Sequence, residues 1–151
     1  MIQAQATAAR IACARMTMPH LSALHDSVER ASCLAARSQW DRKAAAHAEI
    51  FVLLADVADD SALAPLLKGG AAFAQELMLA VGRAADGMIV SSRRRLLAYL
   101  RARDEDGAAL EMEKHLRGLH YMWRLARRRH ETGGRDRRAT SLLTTDVAAL
   151  T

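Results

Sequence analysis

Apolar residues recur every three or four positions along most of the chain, which predicts amphipathic α-helices rather than strands. In the second predicted helix this stripe is Leu21, Leu24, Val28, Ala31 and Ala35. No segment alternates apolar and polar residues for long enough to predict a β-strand. The hydrophobic residues are mostly Ala and Leu, and aromatic residues make up only 4% of the chain. We therefore expect an all-α fold, an antiparallel bundle of six to seven helices.

Capping residues and glycines predict where these helices begin and end. Thr17 and Asp104 stand at the starts of the second and sixth helices and can cap them. Lys68-Gly69-Gly70 predicts either a kink in the fourth helix or a break into two helices, which leaves the count at six or seven. The apolar stripe ends near residue 130. We therefore expect one domain over residues 1–130 and a basic, flexible C-terminal tail over residues 131–151.

The positive charge is concentrated near the C-terminus. The net charge is +5, and residues 124–138 alone carry seven Arg against one Glu and one Asp, a net charge of +5. Such a charge run is typical of a solvated face, and contact with nucleic-acid phosphates is the alternative. No run reaches the roughly 18 uncharged apolar residues of a membrane span. No secretion signal opens the chain, so we expect no membrane association and a cytoplasmic protein.

Three predicted helices each place one polar side chain within an apolar stripe. These residues are His47 in the third helix, Arg93 in the fifth and His115 in the sixth. A lone His on an apolar face is most often a hydrogen-bonded core residue. If the three helices pack together, however, the three side chains share one buried chamber, with Trp40 and Phe51 as its apolar wall.

Arg93 is the most informative of these residues, because a guanidinium group does not shed its charge and is expensive to bury alone. It can extend towards solvent, pair with an internal acid such as Glu49 or Glu76, or bind an anionic ligand. An internal ion pair would favour a purely structural role, whereas an unpaired guanidinium would favour a ligand site.

The motifs of several enzyme classes are missing from the sequence. It contains no Glu-x-x-His, G-x-S-x-G, P-loop or H-E-x-x-H motif. Spacing alone assembles no Ser/His/Asp or Cys/His set. We therefore expect a protein that is not an enzyme.

Three segments, in this order, resemble one bacterial domain family. They are ATAARIACARMTMPHLSAL, HAEIFVLLADVADDSAL and SRRRLLAYLRARDEDGAALEMEKHL. The last is similar to the E-H-x-x-I-L-x-A-I-x-x-G-D-x-x-x-A-x-x-x-M-x-x-H-L stretch of the FCD domain, nearly without gaps. The FCD domain is the C-terminal effector-binding and dimerisation domain of FadR-type regulators in the GntR family of transcription regulators. The resemblance covers about residues 4–128.

Many FCD domains hold a divalent metal such as Zn or Ni with one Asp and three His. In this chain His47 stands at the Asp position, Phe51 at the first His and Arg93 at the second. Only His115 retains the residue type that ligates the metal in the family. Phe does not coordinate a metal, and the Arg cation repels one. We therefore expect no metal cofactor, with His47 and His115 as the only candidate ligands, and an anion site in which Arg93 grips a carboxylate.

The resemblance implies an effector-sensing domain that forms a homodimer and binds a small carboxylate-bearing or acyl metabolite. Ligand binding would then modulate DNA binding by a winged helix-turn-helix that the family places before this domain. Met1 falls almost at the domain's start, so we expect this chain to contact DNA only through that missing domain. The alternative hypothesis is a structural helical dimerisation module with no active ligand pocket.

Overall fold

A computed structural model describes residues 1–34, 39–59 and 64–148, with side chains in the last segment described for residues 65–129. No strand occurs in these residues, which confirms the predicted all-α class. Six α-helices and one 3-10 turn make up the described structure: α1 Ile2–Arg15, α2 Met18–Cys33, α3 Trp40–Ala58, α4 Ala64–Val81, the 3-10 turn Gly82–Ala85, α5 Asp86–Ala102 and α6 Glu105–Ala148.

Helix α6 packs against α1, α4 and α5, and α3 packs against α1, α2 and α4. The contacts between α5 and α6 fix an antiparallel pair, because Met88 lies beside Gly118 while Tyr99 lies beside Gly107. Trp40 at the start of α3 likewise contacts the end of α4, where its Nε1 donates a hydrogen bond to the Met78 carbonyl oxygen at 3.3 Å. Helices α3 and α4 therefore also run antiparallel.

Two predicted caps are present. The Thr17 backbone N–H donates to His20 Nδ1 at 3.2 Å at the start of α2. The Gly107 backbone N–H donates to Asp104 Oδ1 at 2.8 Å at the start of α6. Both contacts satisfy polar groups that a helix start leaves without intrahelical partners.

Helices α4 and α6 differ from the sequence expectation. Helix α4 is continuous through Lys68-Gly69-Gly70, so the break into two helices is wrong: a helix interior tolerates Gly at a cost of about 1 kcal/mol when packing compensates. The backbone of α6 continues to Ala148, beyond the end of the apolar stripe. The side chains of that extension lie outside the described residues, and the flexibility expected of residues 131–151 stays a prediction.

The two glycines of α4 have opposite environments. A Cβ at Gly70 would collide with Nε2 of Gln5, which is buried and donates to the Leu67 carbonyl oxygen at 3.0 Å. A Cβ at Gly69 would meet nothing within 4 Å. Gly70 is therefore a point of close contact between α1 and α4.

These two positions give a matched pair of substitutions. We expect Gly70→Ala to lower the free energy of unfolding by about 1–3 kcal/mol, because it displaces Gln5 from a buried hydrogen bond. Gly69→Ala should raise it by about 0.5–1 kcal/mol through helix propensity alone. Urea denaturation of both variants checks this, and equal effects would contradict the close approach of α1 to Gly70.

Candidate functional site

Helices α3, α5 and α6 bring four of the five predicted site residues together. His47 and Phe51 lie one turn apart on α3, Arg93 lies on α5 and His115 on α6, and all four side chains are buried. Arg93 is only 1% exposed and is among the largest fully buried side chains of the described residues. These four residues therefore form one buried cluster, and the ligand chamber expected among them stays a prediction.

Arg93 touches both of its α3 neighbours. Its Nη2 donates a hydrogen bond to the His47 carbonyl oxygen at 3.3 Å, and its Cζ lies 4.7 Å from the centroid of the Phe51 ring. His115 lies beside Phe51, and the centroids of the two rings are 6.2 Å apart. The Nε and Nη1 atoms of Arg93 are buried and have no hydrogen-bond partner within the described structure.

The acids considered as internal partners of Arg93 are engaged elsewhere or lie at the surface. Glu49 Oε2 accepts hydrogen bonds from Ser27 Oγ at 3.1 Å and from Arg30 Nη2 at 2.7 Å. Glu76 is exposed on α4. Neither of them is therefore the internal counterion on which a structural role for Arg93 would depend.

Glu111 is the acid whose charge acts on Arg93, but its oxygens serve other donors. It is 4% exposed, accepts a hydrogen bond from Ser92 Oγ at 2.7 Å, and receives Arg95 Nε and Nη2 at 3.0 and 2.9 Å. Such a bidentate pair is the strong form of an Arg–carboxylate contact. The Glu111 charge is thus matched by Arg95, which leaves the charge of Arg93 without a direct counterion among the described side chains.

Burial lowers the pKa of Arg93 to about 9, and the negative charge of Glu111 partly opposes this shift. The group is therefore still protonated at neutral pH. A buried, charged guanidinium with two unused donors is a costly arrangement unless an anion completes it.

Both chamber histidines are held neutral. Burial, followed by the positive charge of Arg93, lowers the pKa of His47 to about 3, and Asp86 only partly opposes this. Burial and the same guanidinium also lower the pKa of His115 well below its ordinary value. None of the four ring nitrogens has a hydrogen-bond partner among the residues described. Each neutral ring therefore offers one donor and one acceptor beside the guanidinium.

A second polar pair lies next to His47. Lys43, one turn before it on α3, is 5% exposed, and its Nζ contacts Asp86 Oδ2 at 2.7 Å. The other oxygen, Asp86 Oδ1, lies 3.9 Å from His47 Nε2, and it too is buried without a hydrogen-bond partner in the described part of the chain. Because His47 is neutral, this last contact is not an ion pair.

Trp40 occupies a different place from the other four predicted residues. It is half-buried and packs against a second apolar cluster that includes Ala44, Leu77, Met78 and Ile89. Phe51 belongs to the main core cluster. A contribution of Trp40 to the wall of a ligand chamber therefore stays a prediction.

The chamber does not fit a divalent metal. In the described ranges, no group of three or more His, Cys, Asp or Glu side chains is arranged to hold a metal ion. The guanidinium of Arg93 stands beside the two imidazoles and disfavours positive charge on them. A metal bound by His47 and His115 would meet that same repulsion.

Comparison of the chain with protein-family models, with curated proteins and with solved structures finds no match. Within the described helices, none is long and apolar enough to cross a membrane.

Lys43 and Asp86 were not among the site residues predicted from the sequence, although both lie at helical spacing from residues that were. Lys43 and His47 are four residues apart on α3, and Asp86 and Arg93 are seven apart on α5, so each pair shares a helix face. The seven-residue spacing of Asp86 to Arg93 is the signal that would have placed it at the site.

Proposed function

We propose that this protein is the effector-sensing and dimerisation domain of a transcription regulator of the GntR/FadR type. Its ligand is a small carboxylate-bearing or acyl metabolite that is bound in the chamber between α3, α5 and α6. The observation that carries the proposal is the buried, charged guanidinium of Arg93, with Nε and Nη1 unpartnered inside the described structure.

The chemistry of the chamber suits a carboxylate. Nη2 carries two hydrogens and gives one to the His47 carbonyl oxygen, so its other hydrogen and the adjacent unpartnered Nε or Nη1 form an edge that matches the two oxygens of a carboxylate. The neutral rings of His47 and His115 supply further donors and acceptors, while Phe51 covers the guanidinium on one side. A bound carboxylate would also supply the countercharge that Arg93 lacks.

In this proposal the ligand acts by favouring one packing of the three helices that share it. A ligand can shift such an equilibrium only by its difference in affinity for the two arrangements. Through a homodimer, that shift would reposition winged helix-turn-helix domains and alter their DNA affinity. The dimer and the DNA-binding partner follow from the sequence resemblance, and a cytoplasmic location belongs to the same proposal.

A ligand-dependent melting experiment tests the proposal. We expect at least one straight-chain monocarboxylate, from acetate to octanoate, to raise the melting temperature above that in sodium chloride of equal ionic strength. A ligand at 100 times its Kd stabilises the folded state by about 2.7 kcal/mol, which is readily detected. If no acid in the series stabilises the protein, the alternative of a structural dimerisation module gains support instead.

A further inference from the structure

The Lys43–Asp86 pair fixes the orientation of a carboxylate at the edge of the chamber. Lys43 Nζ holds Asp86 Oδ2 at 2.7 Å, and Lys43 is almost completely buried. Asp86 lies in the first turn of α5, where the helix dipole favours a negative charge. With Oδ2 held by Lys43, Oδ1 is turned towards His47 and has no hydrogen-bond partner in the described segments.

The unpartnered donors of Arg93 and the unpartnered acceptor of Asp86 therefore lie at opposite ends of His47. The Arg93 guanidinium contacts the His47 carbonyl oxygen at 3.3 Å, while Asp86 Oδ1 lies 3.9 Å from the far end of the same residue, at Nε2. A ligand lying along His47 would meet two donors at one end and an acceptor at the other. Arg93 and Asp86 share one face of α5, so a single helix presents both ends of the site.

We propose that Asp86 selects the effector: the ligand is a monocarboxylate that carries a hydrogen-bond donor, an ammonium or a hydroxyl group, at its other end. This inference rests on the proposed function, because it takes the contact of the ligand's carboxylate with Arg93 as given. A donor would satisfy Asp86 Oδ1, whereas a methyl group would leave this buried acceptor unpaired. A second carboxylate on the ligand would place its oxygens, which only accept hydrogen bonds, opposite Asp86 Oδ1, which also only accepts. Both the methyl group and the second carboxylate would therefore weaken binding.

Matched ligands test this selection on the unaltered protein. Isothermal titration would compare 4-aminobutyrate and 4-hydroxybutyrate with butyrate and succinate. The comparison would be repeated with the same four end groups on chains one carbon shorter and one carbon longer. We expect the amino or hydroxy acid of one chain length to bind roughly 10- to 100-fold more tightly than its alkyl counterpart, the range of a hydrogen bond to a charged group. The dicarboxylate should bind no better than the alkyl acid. Equal affinities, or tightest binding of the dicarboxylate, would overturn the inference.

Asp86→Asn should reverse the order of affinities for 4-aminobutyrate and succinate rather than merely weaken the binding of both. Lys43 Nζ holds an oxygen at this position, so the amide would turn its oxygen to Lys43 and its NH₂ group to the chamber. A donor then replaces an acceptor, and succinate should bind more tightly than 4-aminobutyrate. Asp41→Asn is the matched control, because Asp41 is an exposed Asp in the first turn of α3. That variant should keep the order of affinities of the unaltered protein.

Two outcomes separate this inference from the proposed function. If all four acids bind equally to the unaltered protein and none binds to Arg93→Met, the carboxylate site stands and selection by Asp86 is wrong. If no acid binds to the unaltered protein, both proposals fail. Circular dichroism establishes whether Asp86→Asn folds, and the ligand series on the unaltered protein decides the question if it does not.

Discussion

Arg93→Met is expected to abolish carboxylate binding and, at the same time, to make the protein more stable. The guanidinium is 1% exposed, has no direct counterion and leaves two donors unpartnered in the described structure. Replacing buried ionic groups by apolar side chains of similar volume is often neutral or stabilising by about 1–4 kcal/mol. We expect a gain in the free energy of unfolding within that range. Only a group retained for binding should combine a loss of affinity with a gain of stability.

Urea denaturation and isothermal titration of the same samples measure the two effects. Arg94→Met is the matched control, since Arg94 is the neighbouring residue and is exposed. It should change the free energy of unfolding by no more than about 0.5 kcal/mol and should bind ligand normally. A marked loss of stability in Arg93→Met would show that Arg93 is a structural group, as the alternative of a dimerisation module requires.

Stability is expected to fall steeply as the pH is lowered from 6.5. The pKa of His47 is about 3 in the folded protein and 6.5 in the unfolded chain, so the unfolded state binds more protons between these values. Stability is therefore complete above pH 6.5 and is lost as the pH falls towards 3. At pH 5 the contribution of His47 to this loss is about 2 kcal/mol. The pKa of His115 is also lowered, so this residue acts in the same direction.

The free energy of unfolding, measured in urea between pH 5 and pH 8, checks this linkage. His47→Gln should flatten the curve by about the 2 kcal/mol assigned to that residue at pH 5. His120→Gln is the control, because His120 is exposed and its substitution should leave the pH dependence unchanged. An unaltered curve in His47→Gln would show that His47 is not held neutral by burial beside Arg93.

The helical period alone was enough to select His47, Arg93 and His115, because each interrupts an otherwise apolar stripe. Their association could not be derived from one helix at a time, since it depends on how α3, α5 and α6 pack. The role of Asp86 was missed for a related reason. A carboxylate at the start of a helix is ordinarily a dipole or capping feature, and only the contact with the buried Lys43 places this one at the edge of the cluster.

The fold was predictable where local chemistry decides it. Thr17 and Asp104 lie at helix starts as their capping chemistry predicts. At Lys68-Gly69-Gly70 two outcomes were compatible with the sequence, and packing decides between them. Gly70 lets Gln5 of α1 approach the backbone of α4, so the residue that suggested a break is instead a contact point within one helix.

The most direct test of the central claim is mass spectrometry of the purified protein under native and denaturing conditions, with metal analysis of the same sample. We expect an additional non-covalent organic mass on the unaltered protein, lost on denaturation and missing from Arg93→Met. A stoichiometric metal, or an organic mass that persists in Arg93→Met, would contradict a carboxylate site built on the buried guanidinium.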